Sequence, residues 1–181
     1  LARYRQQSGL DPTQAAQEAA LANNTKIAAL ILAFFKARFD PNLPETKDTR
    51  EARSSKLEFM IEAKLNEVVS LDEDRALRRI AHLVKAILRT NYYQLGSDGA
   101  PKAYMSFKID SHAVAELPAP KPSREIWVAS PQVEGVHLRF GAVARGGLRW
   151  SDRREDFRTE VLDLVKAQQV KNAIIVPVGA K

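Results

Sequence analysis

The hydrophobic period of this 181-residue chain changes once, and that change limits the folds open to it. Before about residue 95 apolar residues recur at three and four positions, the spacing of one helix face; beyond Gly96-Ser97-Asp98-Gly99-Ala100-Pro101 they alternate, as on a half-buried strand. Helical spacing confined to one half and alternation to the other predicts an α+β chain: a helical region over 1–100, then strands and a strand-helix-strand unit from 101.

The helical signals are specific. Asp11-Pro12 offers a capping side chain before a proline suited to a first turn, and the Ala-rich stretch to Ala22 has high helix propensity. Asn24 and Thr25 start a second helix with Ile27, Leu30, Ile31, Phe34 and Phe35 on one face, stopped by Asp40-Pro41. Leu57, Met60, Ile61, Leu65 and Val68 form a third stripe; Leu77, Ile80, Val84, Ile87 and Leu88 form a fourth, behind the capping box Ser70-Leu71-Asp72-Glu73. Mixed charge on the opposite faces makes these bundle-core stripes. Strands are expected at Tyr104–Ile109, Glu125–Ala129 and Gly135–Phe140, with a proline-stiffened connector at Leu117–Ser123. A helix from Asp152, with Glu155 as its capping partner, should run to about Asn172, and Ala173–Val178 suits a buried strand.

Composition excludes several classes of function. There is no cysteine, hence no disulfide framework, thiolate metal site or Cys nucleophile, and a reducing compartment fits. His82, His112 and His137 lack metal-ligand spacing. The longest apolar run, Ile27–Phe35, is short of the roughly 20 residues of a membrane-spanning helix. Leu1 and Lys181 both read as cuts in a longer chain. Of the formal net charge of +6, residues 101–181 carry +4, with Arg139, Arg145, Arg149, Arg153, Arg154 and Arg158 concentrated in 139–158. Such a cluster calls for an anion, and a nucleic acid or a small carboxylate would each satisfy it.

The most distinctive stretch is Val143-Ala144-Arg145-Gly146-Gly147-Leu148-Arg149-Trp150, where paired glycines permit a tight turn or a close backbone approach between two guanidiniums. Taken alone, it could equally be an Arg-rich turn on a solvated edge. On the next helix Phe157, Val161, Leu164, Gln168 and Lys171 share a face, so an apolar stripe ends in an amide and an ammonium. The plain alternative is a surface cap and a lysine complementing the helix dipole. No G-x-G-x-x-G fingerprint occurs, and Gly179-Ala180-Lys181 lacks the first glycine of a phosphate loop.

The order Arg145-Gly-Gly-Leu-Arg, Gln168-x-x-Lys171-Asn172-Ala173 and Pro177-Val-Gly-Ala-Lys181 resembles glutamate dehydrogenases. The run from Gly135 to Lys181, with Arg149-Trp150-Ser151-Asp152-Arg153-Arg154-Glu155-Asp156-Phe157-Arg158, is similar to the large NAD-specific bacterial type, and residues 1–95 are similar to the helical region upstream. The resemblance implies the substrate-binding part of a catalytic domain, oxidative deamination of L-glutamate to 2-oxoglutarate and ammonium with NADH formation, a cytoplasmic homo-oligomer, and NAD held by a domain absent from this chain. It implies that Arg145, with Gly146 and Gly147, meets the side-chain carboxylate; that Gln168 and Lys171 hold the α-carboxylate; that Lys181 is catalytic; and that Arg149 supports them. Arg stands at 145 where the small enzymes of the family commonly have Lys, and the interval from Lys171 to Lys181 is two residues shorter.

The chemistry is coherent. A dicarboxylate needs a cation at each end, and an amine acts as a base only when neutral, a form favoured by neighbouring cations such as Arg145 and Lys171. The 181 residues alone are expected to lack dehydrogenase activity. The competing reading is a non-catalytic basic module binding nucleic acid or another anionic partner through 139–158. Thin aromatic interleaving, with Phe140, Trp150 and Phe157 alone, disfavours nucleic acid.

Overall fold

The computed structural model of the protein describes residues 1–9, 12–141, 143–144, 149–171 and 179–180; at 143–144, 168–171 and 179–180 it describes backbone alone. The helical half begins with α1 (Ala2–Gln7), α2 (Gln14–Asn23) and α3 (Thr25–Phe39). Thr13 caps α2, accepting from the Ala16 N–H; the expected cap, Asp11, lies outside the described residues. α2 and α3 meet at 104°, and apart from that bent pair no helix among the described residues is long and apolar enough to cross a membrane.

The remaining bundle helices are α4 (Lys47–Leu65) and α5 (Leu71–Ala86), capped by Thr46 and Ser70. Ser70 accepts from the Glu73 N–H, as the capping box requires, but the Glu73 carboxylate turns away to accept from Asn23 and Asn24 at 2.7 and 2.9 Å. It thereby pins the corner between α2 and α3, and the two amide donors hold its pKa below the ordinary carboxylate value.

α5 stops earlier than its periodicity implies. Ile87 and Leu88 continue the 3/4 spacing yet stand in strand β1 (Ile87–Thr90), which pairs antiparallel with β2 (Met105–Ile109). The orphaned carbonyls at the helix end are met by Arg38 of α3, whose guanidinium donates to Val84, Lys85 and Ile87. Sheet pairing therefore overrides helix continuation, and Arg38 supplies donors to carbonyls that the helix leaves open.

The sheet continues through β3 (Arg124–Ala129), β4 (Glu134–Arg139) and the two-residue strands β5 (Val143–Ala144) and β6 (Gly179–Ala180), in the order β1-β2-β3-β4-β6-β5. β1 to β4 form an antiparallel meander, in which β2, β3 and β4 fall on the three stretches expected from alternation and β1 on none of them. β5 and β6 are parallel, with Ala144 opposite Ala180, and are joined through α6 (Phe157–Lys171). The chain is thus α+β and has a strand-helix-strand unit built on β5, α6 and β6; the strand expected at 173–178 lies outside the described residues.

One sheet face carries Ile87, Phe107, Ile109, Trp127 and Leu138, and the helices bury it. The first four of these pack into one core with Ile31, Phe34, Leu83 and Val84. Register puts Ile109 beside Glu125 beside Leu138, so a carboxylate occupies an inward position of the central strand.

Candidate functional site

α6 starts at Phe157, not at Asp152. Asp152 and Glu155 do not cap it: the Ser151 hydroxyl accepts from the Arg153 N–H at 3.1 Å in a local turn, and the Glu155 carboxylate binds Arg3 and Gln6 of α1. The inward face of α6 also differs from the expected one. Its buried positions are Arg158, Leu162 and Val165, whereas Phe157, Val161 and Leu164 are half-buried on the adjoining face. Gln168 and Lys171 continue that adjoining face by helical spacing, so the pair belongs to the flank of α6 rather than to its core stripe.

The departure is explained by a buried charge cluster. Arg158 is 1% exposed and Glu125 0%, and the guanidinium grips the carboxylate through Nε at 2.9 Å and a terminal nitrogen at 2.6 Å. The Tyr4 hydroxyl of α1 donates to the same carboxylate at 2.9 Å. Burial works against the guanidinium charge, but the hydrogen bonds and charge of Glu125 outweigh it and hold the Arg158 pKa above its ordinary value. Burial, followed by the neighbouring carboxylate, pushes the Tyr4 phenol far above its usual range. Trp127 lies between the Tyr4 ring, edge-on at 5.7 Å, and the Phe157 ring, stacked at 5.6 Å. The sequence signal for Glu125 was its inward place in an alternating strand; Tyr4 gave none beyond being aromatic.

Other arginines of 139–158 are likewise engaged. Arg149 donates to Glu160 at 3.0 Å, Arg153 pairs with Asp156, and Arg139 donates through Nε to the Gly141 carbonyl. Arg149, Arg153 and Arg158 are thus paired with carboxylates of the chain, which lowers the charge this segment can offer a phosphate backbone. Glu160 also accepts from the Ser151 hydroxyl; that bond and then Arg149 hold its pKa below the ordinary carboxylate value, and Arg153 does the same for Asp156. A depressed folded-state pKa adds stability above the unfolded value that is lost as pH falls through the folded one. Amide exchange over 151–160 should thus be pH-independent, after correction for intrinsic rates, above about pH 5 and accelerate below about pH 4. Unchanged protection at pH 3 would show that these pairs do not hold the turn.

Of the residues expected to bind substrate, Arg145, Gly146, Gly147 and Lys181 lie outside the described residues, and Gln168 and Lys171 are placed by backbone alone. What the structure gives is the frame: Arg145 follows Ala144 and Lys181 follows Ala180 in sequence, and those alanines are register partners on adjacent parallel strands. Arg149, held by Glu160, is 61% exposed. No group of His, Asp or Glu among the described residues could hold a metal ion.

A helical layer on a largely antiparallel sheet, closed by a parallel strand-helix-strand unit, defines an α+β fold. Residues 60–181 match the family described as bacterial NAD-glutamate dehydrogenase, catalytic domain, and residues 1–41 match glutamate dehydrogenase, helical motif 3. The chain is 56% identical to an NAD-specific glutamate dehydrogenase of Pseudomonas aeruginosa, 52% to one of Halomonas elongata and 48% to one of Mycobacterium tuberculosis, each over 99% of its length. It belongs to the bacterial NAD-glutamate dehydrogenase family, and spans 11% of the length of each of these relatives.

Proposed function

We propose that this chain forms one wall of the substrate site of an NAD-dependent glutamate dehydrogenase that oxidatively deaminates L-glutamate to 2-oxoglutarate and ammonium. The observation that carries the reading is the match of residues 60–181 to the catalytic-domain family, a span holding every candidate residue. The parallel pair β5 and β6 supports it, because ligands of open α/β sheets collect at the carboxyl ends of parallel strands, and Arg145 and Lys181 follow those ends in sequence.

In this reading Arg145 neutralises the distal carboxylate of the substrate, with Gly146 and Gly147 keeping the backbone clear. Gln168 and Lys171, one helical turn apart on α6, receive the α-carboxylate. Lys181 removes a proton from the water that attacks the imino carbon and supports the resulting carbinolamine before ammonium leaves. NAD, when bound, would supply the hydride acceptor for the substrate's α-carbon.

The clamps make a direct test. In the full-length protein, Lys171→Ala and Arg145→Ala should each raise KM for glutamate and 2-oxoglutarate by about tenfold or more, since each deletes a charge-assisted hydrogen bond of about 1.5–3 kcal/mol. Steady-state kinetics with unchanged KM in both variants would show that the carboxylates are held elsewhere.

A further inference from the structure

Buried ion pairs are poor stabilisers. Replacing one with apolar side chains of similar volume is often neutral or favourable, because the desolvation of two charges offsets their attraction. What an apolar contact does not supply is direction. Leu162 and Val165 bury α6 against its neighbours but permit it to roll or slide, whereas the guanidinium fork of Arg158 on Glu125 fixes both motions at the first turn of the helix. The Gln7 side-chain oxygen adds a third constraint by accepting from the Arg158 backbone N–H at 3.3 Å.

The roll matters because of where the faces of α6 lie. Arg158, Leu162 and Val165 look inward, and the face that continues to Gln168 and Lys171 is one residue, about 100°, around the helix. A small roll would carry positions 168 and 171 away from a ligand while preserving most apolar burial. We propose that Tyr4, Glu125 and Arg158 are positioning residues that set the roll and axial register of α6, and with them the placement of Gln168 and Lys171 toward the substrate's α-carboxylate. Tyr4 and Gln7 come from the segment matching helical motif 3, so that segment acts on substrate affinity through a hydroxyl on a carboxylate of the sheet and an amide oxygen on the Arg158 N–H. The inference rests on the assignment of Gln168 and Lys171 made above.

The test uses the full-length protein and reads thermal stability and glutamate kinetics together. The double variant Glu125→Leu/Arg158→Met replaces the pair with apolar volume. It should keep its Tm within a few degrees while KM for glutamate rises by about tenfold or more and kcat changes less, a split that loss of fold would not give. Arg158→Lys, which keeps the charge but not the fork, and Tyr4→Phe, which keeps the ring against Trp127, should shift KM in the same direction by smaller factors. Wild-type KM in the double variant overturns the proposal, as does wild-type KM in both Arg158→Lys and Tyr4→Phe should the double variant fail to fold. Lys171→Ala run alongside separates the two layers: raised KM there with wild-type KM in the cluster variants removes the positioning role alone. Unchanged KM in Lys171→Ala removes the site assignment and this inference with it.

Discussion

Lys181→Met in the full-length enzyme is expected to lower kcat by about 10²- to 10⁴-fold, the range that a positioned general acid–base group contributes, with KM for glutamate much less affected. Methionine keeps an unbranched aliphatic stem of similar length and removes the amine, so the change falls on proton transfer rather than packing. Lys181 follows β6 in sequence, and β6 is already paired on both sides, to β4 through Arg139 and Ala180 and to β5 through Ala144 and Ala180. That pairing gives no reason for the strand to depend on the lysine side chain. A variant with near-normal turnover would remove Lys181 from the chemistry; one that lost kcat together with its melting transition would mark the residue as structural.

The same variant bears on the reading of 139–158 as a nucleic-acid surface. Binding through phosphate contacts would fall steeply with salt and would be indifferent to a methionine at 181. A folded protein with normal turnover in Lys181→Met and salt-sensitive binding to single-stranded nucleic acid would restore that reading, despite the internal pairing of Arg149, Arg153 and Arg158.

Much of this architecture is legible in the sequence because its signals are local. Ser70 and Glu73 announce the start of α5, and Phe107, Ile109 and Trp127 announce inward strand positions by alternation alone. The end of α5 was not legible, since Ile87 and Leu88 satisfy a helix stripe and a strand equally well; the decision is made by β2 and by Arg38, at sequence separations no periodicity contains. α1 carries a buried tyrosine, arginine and glutamine in six residues, and it holds its place through partners more than a hundred residues away. α6 misled by one position for the same reason. A pattern reading counts Arg158 as polar and turns it outward, but a guanidinium whose carboxylate partner waits in the central strand is an inward residue. The candidate substrate residues rest on order and resemblance, while Glu125 and Tyr4, to which the proposed positioning of α6 falls, are marked by no motif.

That dependence gives the second large effect. Glu125→Leu on its own leaves the Arg158 guanidinium and the Tyr4 hydroxyl buried without their shared acceptor. A lysine in that position would escape by losing its proton, but arginine stays charged at any working pH, so the cost cannot be evaded by neutralisation. Breaking a buried pair on one side costs about 3–5 kcal/mol, whereas removing both partners together is close to neutral. In the full-length protein the loss should appear locally, as about 10²- to 10³-fold faster exchange of the amides of β3 and α6, where every 1.4 kcal/mol is tenfold. Adding Arg158→Met to Glu125→Leu should return most of that protection, which is the reverse of what two independent destabilising substitutions would do. If the double variant instead exchanges as fast as the sum of the singles predicts, the pair is not coupled as its 2.6 and 2.9 Å contacts require. In that case α6 is held by Leu162, Val165, the stacking of Phe157 on Trp127 and the Gln7 oxygen on the Arg158 N–H.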